Sequence, residues 1–146
     1  GIEKGAFLAM YFADRAVVVV NPEVSSVRDS DRILGLLASK TKKAEAGERI
    51  TEHLLLTRYN PARVEKGEML SISDVEEILG LKVVGVIPEA PEVLQSSNSG
   101  NPVILDEESS AGQAYTDAVA RILGEERPMR FTTVEKKGFF SKIFGA

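Results

Sequence analysis

Four consecutive valines, Val17–Val20, constrain the fold of this chain more than any other feature of its sequence. β-Branched side chains lose rotamer freedom in a helix and pack well on a pleated sheet, so the run predicts a β-strand. Polar and apolar residues do not alternate within it, which is typical of parallel strands covered by helices on both faces. The run Ala16–Val20 therefore predicts a strand buried on both faces.

Two further short apolar runs, Leu54–Thr57 and Val83–Ile87, have the same character. Between the first two runs, Val27, Leu34 and Leu37 recur at helical spacing, and Ser25 or Ser26 is a candidate N-cap. A helix between two buried strands predicts a βαβ unit, whose strands are parallel and whose crossover is right-handed.

Later segments continue the alternation of helices and strands. Ser73–Glu76 has the pattern of a capping box, and Gly80 stands where a glycine commonly ends a helix. A last helix is predicted at about residues 113–123, ending at Gly124. We therefore expect an α/β domain over residues 1–124, a linker over 125–134 and a separate amphipathic helix over 135–146.

A polar, proline-bearing turn follows each predicted strand: Asn21-Pro22-Glu23, Arg58 to Pro61, and Pro88-Glu89. In open α/β sheets, ligands bind outside the carboxyl ends of the strands, so these turns predict a ligand-binding rim. Taken singly, Asn-Pro is a common structural turn signal. The rim is therefore predicted from the three turns together.

Several classes of site are absent from the sequence. It has no cysteine, which excludes disulfides and thiolate metal sites, and its single histidine, His53, is predicted to be structural. Neither a Gly-x-x-x-x-Gly-Lys-Ser/Thr loop nor Gly-x-Gly-x-x-Gly occurs, so no phosphate cradle is encoded here. There is no run of 18 apolar residues and no Gly-x-Ser-x-Gly elbow. No metal site and no catalytic residue are predicted within this chain.

The C-terminal eleven residues, 136–146, combine aromatic, aliphatic and basic side chains without an acid. On a helix, the apolar members fall within an arc of about 140°, the pattern of a short helix lying in a membrane interface. The predicted membrane-binding residues are Lys137, Phe139, Phe140, Lys142, Ile143 and Phe144. A C-terminal helix docked on the protein's own core is the alternative.

Charge is distributed unevenly along the chain. Residues 127–146 carry a net charge of +4 although the whole chain carries −4, so the remainder is strongly acidic. An acidic body with a basic, hydrophobic end favours an anionic membrane surface as partner and argues against nucleic acid. A calmodulin-type target helix is a further possibility for so basic a segment.

Three of these segments and the tail, in this order, resemble the deviant-Walker-A (ParA/MinD) ATPase family. The segments are Asn21–Leu34, Leu54–Pro61 and Val84–Glu89. The similarity covers essentially the whole chain but only the C-terminal half to three-fifths of the family's usual length. The family's phosphate loop would precede Gly1, so this chain alone is not expected to hold or hydrolyse the triphosphate.

The resemblance implies a fold and a function. The fold would be the C-terminal part of a parallel-sheet, P-loop NTPase-like domain. The function would be that of a cell-division ATPase that positions the septum, binding ATP with Mg²⁺ and forming a homodimer with ATP. It would bind the cytoplasmic face of the bacterial inner membrane reversibly, recruit MinC and be released by MinE. Nucleic acid is not among the implied partners.

The resemblance also implies roles for individual residues. Thr57, Arg58, Pro88 and Glu89 match the adenine side of the family's nucleotide pocket, although relatives usually carry Asn at the position of Thr57. Glu3 matches the end of a nucleotide-sensing switch.

Asp29 and Asp31 match the helix surface on which the family docks MinC and MinE. The charges alone favour another interpretation, a solvated face in which Asp29 pairs with Arg32 and Asp31 pairs with Arg28.

Two other functions compete with this one. The first is a non-catalytic module that binds membrane and partners without nucleotide chemistry; a phosphate loop upstream in the same reading frame would argue against it. The second is a ParA-like chromosome-segregation ATPase. The acidic body disfavours it, because that class binds DNA through basic surface.

Overall fold

The computed structural model describes residues 4–134. The predicted switch residue Glu3 lies outside the described residues. So do the amphipathic helix predicted over 135–146 and its membrane-binding residues Lys137, Phe139, Phe140, Lys142, Ile143 and Phe144.

Three strands and seven α-helices alternate along the described chain. The strands are β1 (Arg15–Val20), β2 (Thr51–Tyr59) and β3 (Val83–Pro88). The helices are α1 (Lys4–Tyr11), α2 (Val24–Ser39), α3 (Lys42–Glu45), α4 (Pro61–Glu65), α5 (Ile72–Leu79), α6 (Pro91–Ser99) and α7 (Ser110–Ile122), with a 3₁₀ turn at Val103–Leu105.

The three strands form one parallel sheet in the order β1-β2-β3. Val20 lies opposite Leu56, and Leu56 lies opposite Val86, so the carboxyl ends of all three strands meet at one edge. The predicted α/β class with a parallel sheet is confirmed.

One face of the sheet carries the larger core. Val18, Val20, Leu54 and Leu56 alternate with residues of the other face and are buried with α2 and α5, through Val27, Leu37, Val75 and Leu79. Helix α2 follows β1 along the chain and α5 comes after β2. Each helix packs its apolar side on this face of the sheet.

Helix α7 covers part of the opposite face, mainly at β3. Leu55 and Ile87 pack there against Ala111, Ala114 and Ala118. The small residues of α7 let its backbone approach the sheet closely: a Cβ on Gly85 would lie 2.5 Å from the Cβ of Ala118. The glycine inside the Val83–Ile87 run therefore serves helix packing.

Strand β1 differs from its prediction, because it is buried on one face only. Val17 and Val19 retain 45% and 58% of their exposure, whereas Val18 and Val20 are buried. The cause is the position of α7, which packs mainly on β3 and leaves the same face of β1 half exposed. Within residues 4–134, the prediction that this strand is buried on both faces is therefore wrong.

Of the predicted ends of α2 and α5, one agrees with the structure and two differ from it. The N-cap of α2 is Glu23, without a side-chain cap; Ser26 Oγ instead accepts a hydrogen bond from the Asn21 N–H. The capping box of α5 is formed by Ser71 and Asp74, two residues before the predicted start. Gly80 ends α5 with a φ of +63°, as predicted.

Among the helices described between residues 4 and 134, none combines the length and the apolar character that a bilayer crossing requires.

Candidate functional site

The polar turns after the three strands meet at one rim of the sheet, as the sequence predicts. Asn21 follows β1, Arg58 and Asn60 lie at the end of β2, and Glu89 follows β3. The main chain joins two of the turns directly, because the N–H of Glu89 donates to the carbonyl of Tyr59 over 2.9 Å. Tyr59 is buried, so this junction is fixed to the core.

Thr57 is hydrogen-bonded to Asn21, the first residue of the polar turn that follows β1. Its Oγ1 donates to Oδ1 of Asn21 over 2.9 Å, with a longer contact to the Val20 carbonyl. This bond leaves the Nδ2 amide of Asn21 without a partner among the described residues. The rim therefore presents a carboxamide, on Asn21 and oriented by Thr57, although Thr57 itself has none.

Arg58 adopts a left-handed backbone conformation, with a φ of +56°. This region is costly for a residue with a Cβ, by about 1–2 kcal/mol. The register of β2 against β3 shifts between Leu56 and Tyr59, so Arg58 lies in this irregularity. Its side chain points outward with 66% of its surface exposed.

The carboxylate of Glu89 lies between the side chains of Arg58, near the end of β2, and Asn60, just after it. Its Oε2 accepts a hydrogen bond from Asn60 Nδ2 over 3.2 Å, and its Oε1 is 3.9 Å from Nη2 of Arg58. Pro88 is paired with Tyr59 in the sheet. The structure thus brings Thr57, Arg58, Pro88 and Glu89 to the same edge.

The chemistry of the rim is that of recognition. It offers an amide, a guanidinium, a carboxylate and main-chain groups, which suit hydrogen bonding to a planar heterocycle. No group of acidic or histidine side chains suited to a metal ion occurs within residues 4–134.

The two acidic residues predicted to bind partners are both exposed on α2. The ion pairs expected from charge alone, Asp29 with Arg32 and Asp31 with Arg28, are not among those formed between described residues. The two predicted pairings are therefore not formed, although both side chains are exposed as a solvated face requires, and partner binding by Asp29 and Asp31 stays a prediction. Asp29 also lines an open groove of about 820 Å³ between α1, α2 and the outer side of β1.

A second polar cluster, which sequence reasoning missed, lies on α7. Asp117 is buried, and its two oxygens accept hydrogen bonds from Arg127 and Arg130. Burial raises the pKa of the Asp117 carboxyl, but the hydrogen bonds from the two arginines outweigh it, and the net pKa is below the ordinary value. A polar residue within the apolar face of the predicted helix was the available signal.

Comparison with known proteins gives close matches over nearly the whole chain. No family model matches it. The chain is 65% identical over 146 residues to the septum site-determining protein MinD of Escherichia coli, covering 99% of this chain and 54% of that protein. MinD of Neisseria meningitidis is 61% identical over 145 residues, with the same coverage.

Solved structures agree with this match. MinD of Aquifex aeolicus superposes with a TM-score of 0.79 at 41% identity, covering 89% of this chain and 52% of that one. A MinC:MinD complex from the same organism matches at 40% identity and the same TM-score, over 92% of this chain and 52% of that one. The chain spans about half the length of the relatives it matches, which is consistent with a C-terminal portion.

Proposed function

We propose that this chain, which is homologous over nearly its whole length to about half of the septum site-determining protein MinD, is part of a cell-division ATPase. In this proposal the intact protein positions the division septum together with MinC. Its cycle consists of ATP-dependent dimerisation, membrane binding, recruitment of MinC and release stimulated by MinE.

The rim is proposed to bind the adenine of ATP. The observation that carries this is Arg58, held in a left-handed conformation beside Glu89 where the chain also places Asn21 and Thr57. Backbone strain of this kind clusters at ligand sites. The phosphates and Mg²⁺ would be held by residues of the intact protein outside this chain, because its sequence contains no phosphate loop.

Membrane binding is proposed to reside in the basic, aromatic residues of 136–146. Burial of four large apolar side chains contributes roughly 1.5–3 kcal/mol each, but ordering a short peptide costs about 1–2 kcal/mol per residue. One tail therefore binds weakly. Two tails joined by ATP-dependent dimerisation bind far more tightly through effective concentration, which makes attachment to the cytoplasmic face of the inner membrane reversible.

The outer surface of α2 is proposed to bind MinC and MinE. Its carboxylates at Asp29 and Asp31 are exposed and make no ion pair with a described residue, so they remain available to a basic partner. A complex of MinC with MinD is known from Aquifex aeolicus, whose MinD is 40% identical to this chain. Replacing both aspartates by asparagine should abolish MinC binding without changing ATP affinity.

The decisive experiment uses the intact gene product and vesicles containing anionic phospholipid. We expect it to sediment with vesicles in ATP and to remain in solution in ADP. Arg58→Ala should weaken ATP binding about tenfold. Arg49→Ala is the matched control, because Arg49 is an exposed arginine just before β2, at the opposite edge of the sheet.

Two outcomes would contradict the proposal. Equal ATP affinity of the wild type and Arg58→Ala would remove Arg58 from the nucleotide site. Vesicle binding that does not depend on ATP would favour the alternative, a membrane- and partner-binding module without nucleotide chemistry. Deletion of residues 136–146 should abolish sedimentation and leave ATP binding intact.

A further inference from the structure

The segment Glu125–Phe131, here called the strap, contains no helix or strand but is attached to the body by side chains. It follows α7, whose end is marked by Gly124 at a φ of +96°. The strap then folds back along α7. The sequence predicts a linker here, and three sets of contacts attach this segment to the rest of the protein.

The first attachment is the carboxylate of Asp117. Its Oδ2 accepts a hydrogen bond from Nε of Arg130 over 2.7 Å, and its Oδ1 accepts one from Nη1 of Arg127 over 3.3 Å. Only 7% of the Asp117 side chain is exposed. A buried carboxylate is costly unless it is paired, so the body favours the state in which the strap supplies its two cations.

The second attachment runs in the opposite direction, from the body to the strap. Arg121 of α7 donates from Nε to the carbonyl of Arg127 over 3.0 Å and from Nη2 to that of Pro128 over 2.7 Å. Its Nη1 donates to the Val84 carbonyl of β3 over 3.0 Å. One guanidinium therefore joins the strap, α7 and the outer strand of the described sheet, using the fixed fork geometry of arginine.

The third attachment is at the end of the strap. Phe131 has a φ of +60° and packs partly against the core beneath α7. The guanidinium of Arg130 lies 5.2 Å from the centre of its ring, and Nη1 of Arg130 donates to Oε1 of Gln113 over 2.9 Å. The strap is therefore held at its middle and at its end, by contacts of different kinds.

We infer that Asp117, Arg121, Arg127 and Arg130 are positioning residues for membrane attachment, because they hold the strap against α7 as far as Phe131. This inference rests on the proposed function of the basic, aromatic tail that follows. With the strap docked, five positions separate Phe131 from Lys136; with it released, twelve separate Gly124 from Lys136. Once a tether is longer than the span it must bridge, effective concentration falls roughly as the −3/2 power of its length, so in that regime release lowers it about fourfold.

The test compares Asp117→Asn with Glu108→Gln in the intact gene product. Both changes neutralise one acid, but Glu108 is exposed and its side chain forms no ion pair with a described residue. Amide hydrogen exchange without vesicles measures docking of residues 125–131. Titration with anionic vesicles in ATP measures attachment, and ATP affinity reports on the nucleotide site.

We expect Asp117→Asn to speed exchange in the strap at least tenfold and to raise the half-saturating vesicle concentration about fourfold, with ATP affinity unchanged. Glu108→Gln should match the wild type in all three. Arg130→Gln leaves Arg127 on Asp117 and provides the same test if Asp117→Asn does not fold; Arg130→Lys should restore part of both effects.

Unchanged exchange in the strap would show that the clamp does not hold it, and the inference would be wrong. Faster exchange with unchanged vesicle binding would overturn the positioning role and leave the clamp purely structural. A wild-type protein that exchanges slowly in the strap but never binds vesicles would instead refute the proposed membrane function, and the positioning role with it.

Discussion

The rim and the strap share two structural features, which lie in different surroundings. Each contains a non-glycine residue in the left-handed region, Arg58 in one and Phe131 in the other. Each contains an arginine–carboxylate pair. At the rim, Arg58 and Glu89 are 3.9 Å apart with both side chains at least a third exposed; at the strap, Arg130 lies 2.7 Å from the buried Asp117.

The difference in burial decides what each pair can do. An exposed pair contributes about 0–1 kcal/mol, so Arg58 and Glu89 lose little when a ligand recruits their hydrogen-bonding groups. A buried carboxylate left without a partner retains a desolvation cost, so the strap resists being pulled away. The rim is suited to reversible recognition, and the strap to holding one arrangement.

The largest expected contrast is in stability. Asp117→Ala should lower the free energy of unfolding by about 2–3 kcal/mol, because it removes the charge that holds both strap arginines. Arg58→Ala should change it by less than about 0.5 kcal/mol. Urea denaturation of the intact gene product measures both. Similar losses in the two variants would show that burial does not separate the two regions.

The next contrast is in the coupling of each pair, measured by double-mutant cycles. We expect about 1–2 kcal/mol between Asp117 and Arg130, and about 0–0.5 kcal/mol between Arg58 and Glu89. Raising the salt concentration should diminish the second coupling more than the first, because exposed charges are screened. A coupling at the rim equal to that of the strap would contradict this comparison.

Glycine substitution at the two left-handed positions should give a smaller contrast. Glycine relieves the backbone strain in both but costs about 0.5–1 kcal/mol in chain entropy. Arg58→Gly should therefore be nearly neutral. Phe131→Gly also loses packing against the core and should lower the free energy of unfolding by about 1 kcal/mol. Thermal unfolding checks the pair, and equal effects would mean that Phe131 contributes no packing.

The smallest expected effect is on pH dependence. Because arginine hydrogen bonds outweigh burial and lower the Asp117 pKa in the folded state, this group contributes stability above the ordinary pKa of aspartate, about 3.9. That contribution is lost as the pH falls through the lower folded pKa. The stability difference between the wild type and Asp117→Asn should therefore narrow below about pH 4. If the stability difference between the two proteins stays constant or widens as the pH is lowered, this role of Asp117 is contradicted.

Much of the fold could be predicted because its signals are local. The three apolar runs became the three strands, and Gly80 ends α5 in the predicted conformation. The cap of α5 was misplaced by two residues because serines at 71 and 73 are both followed three positions later by an acid, and the sequence does not choose between them.

The sequence predicted where the candidate site lies, but it did not predict all of the hydrogen bonds within it. The rule that ligands bind at the carboxyl ends of parallel strands placed the rim at its three turns. The bond from Thr57 to Asn21 joins residues 36 positions apart, and no local pattern predicts it. The assignment of Thr57, Arg58, Pro88 and Glu89 to adenine remains a prediction.

The sequence by itself determined the periodicity of the elements, the sites of the turns and the parallel class, since these depend on neighbours along the chain. Only the tertiary structure decided that Val17 and Val19 remain about half exposed while Val18 and Val20 are buried. It also decided that Asp117 meets two arginines ten and thirteen positions away. Burial and pairing depend on which distant segments of the chain pack together. The packing of α7 and its strap decides both.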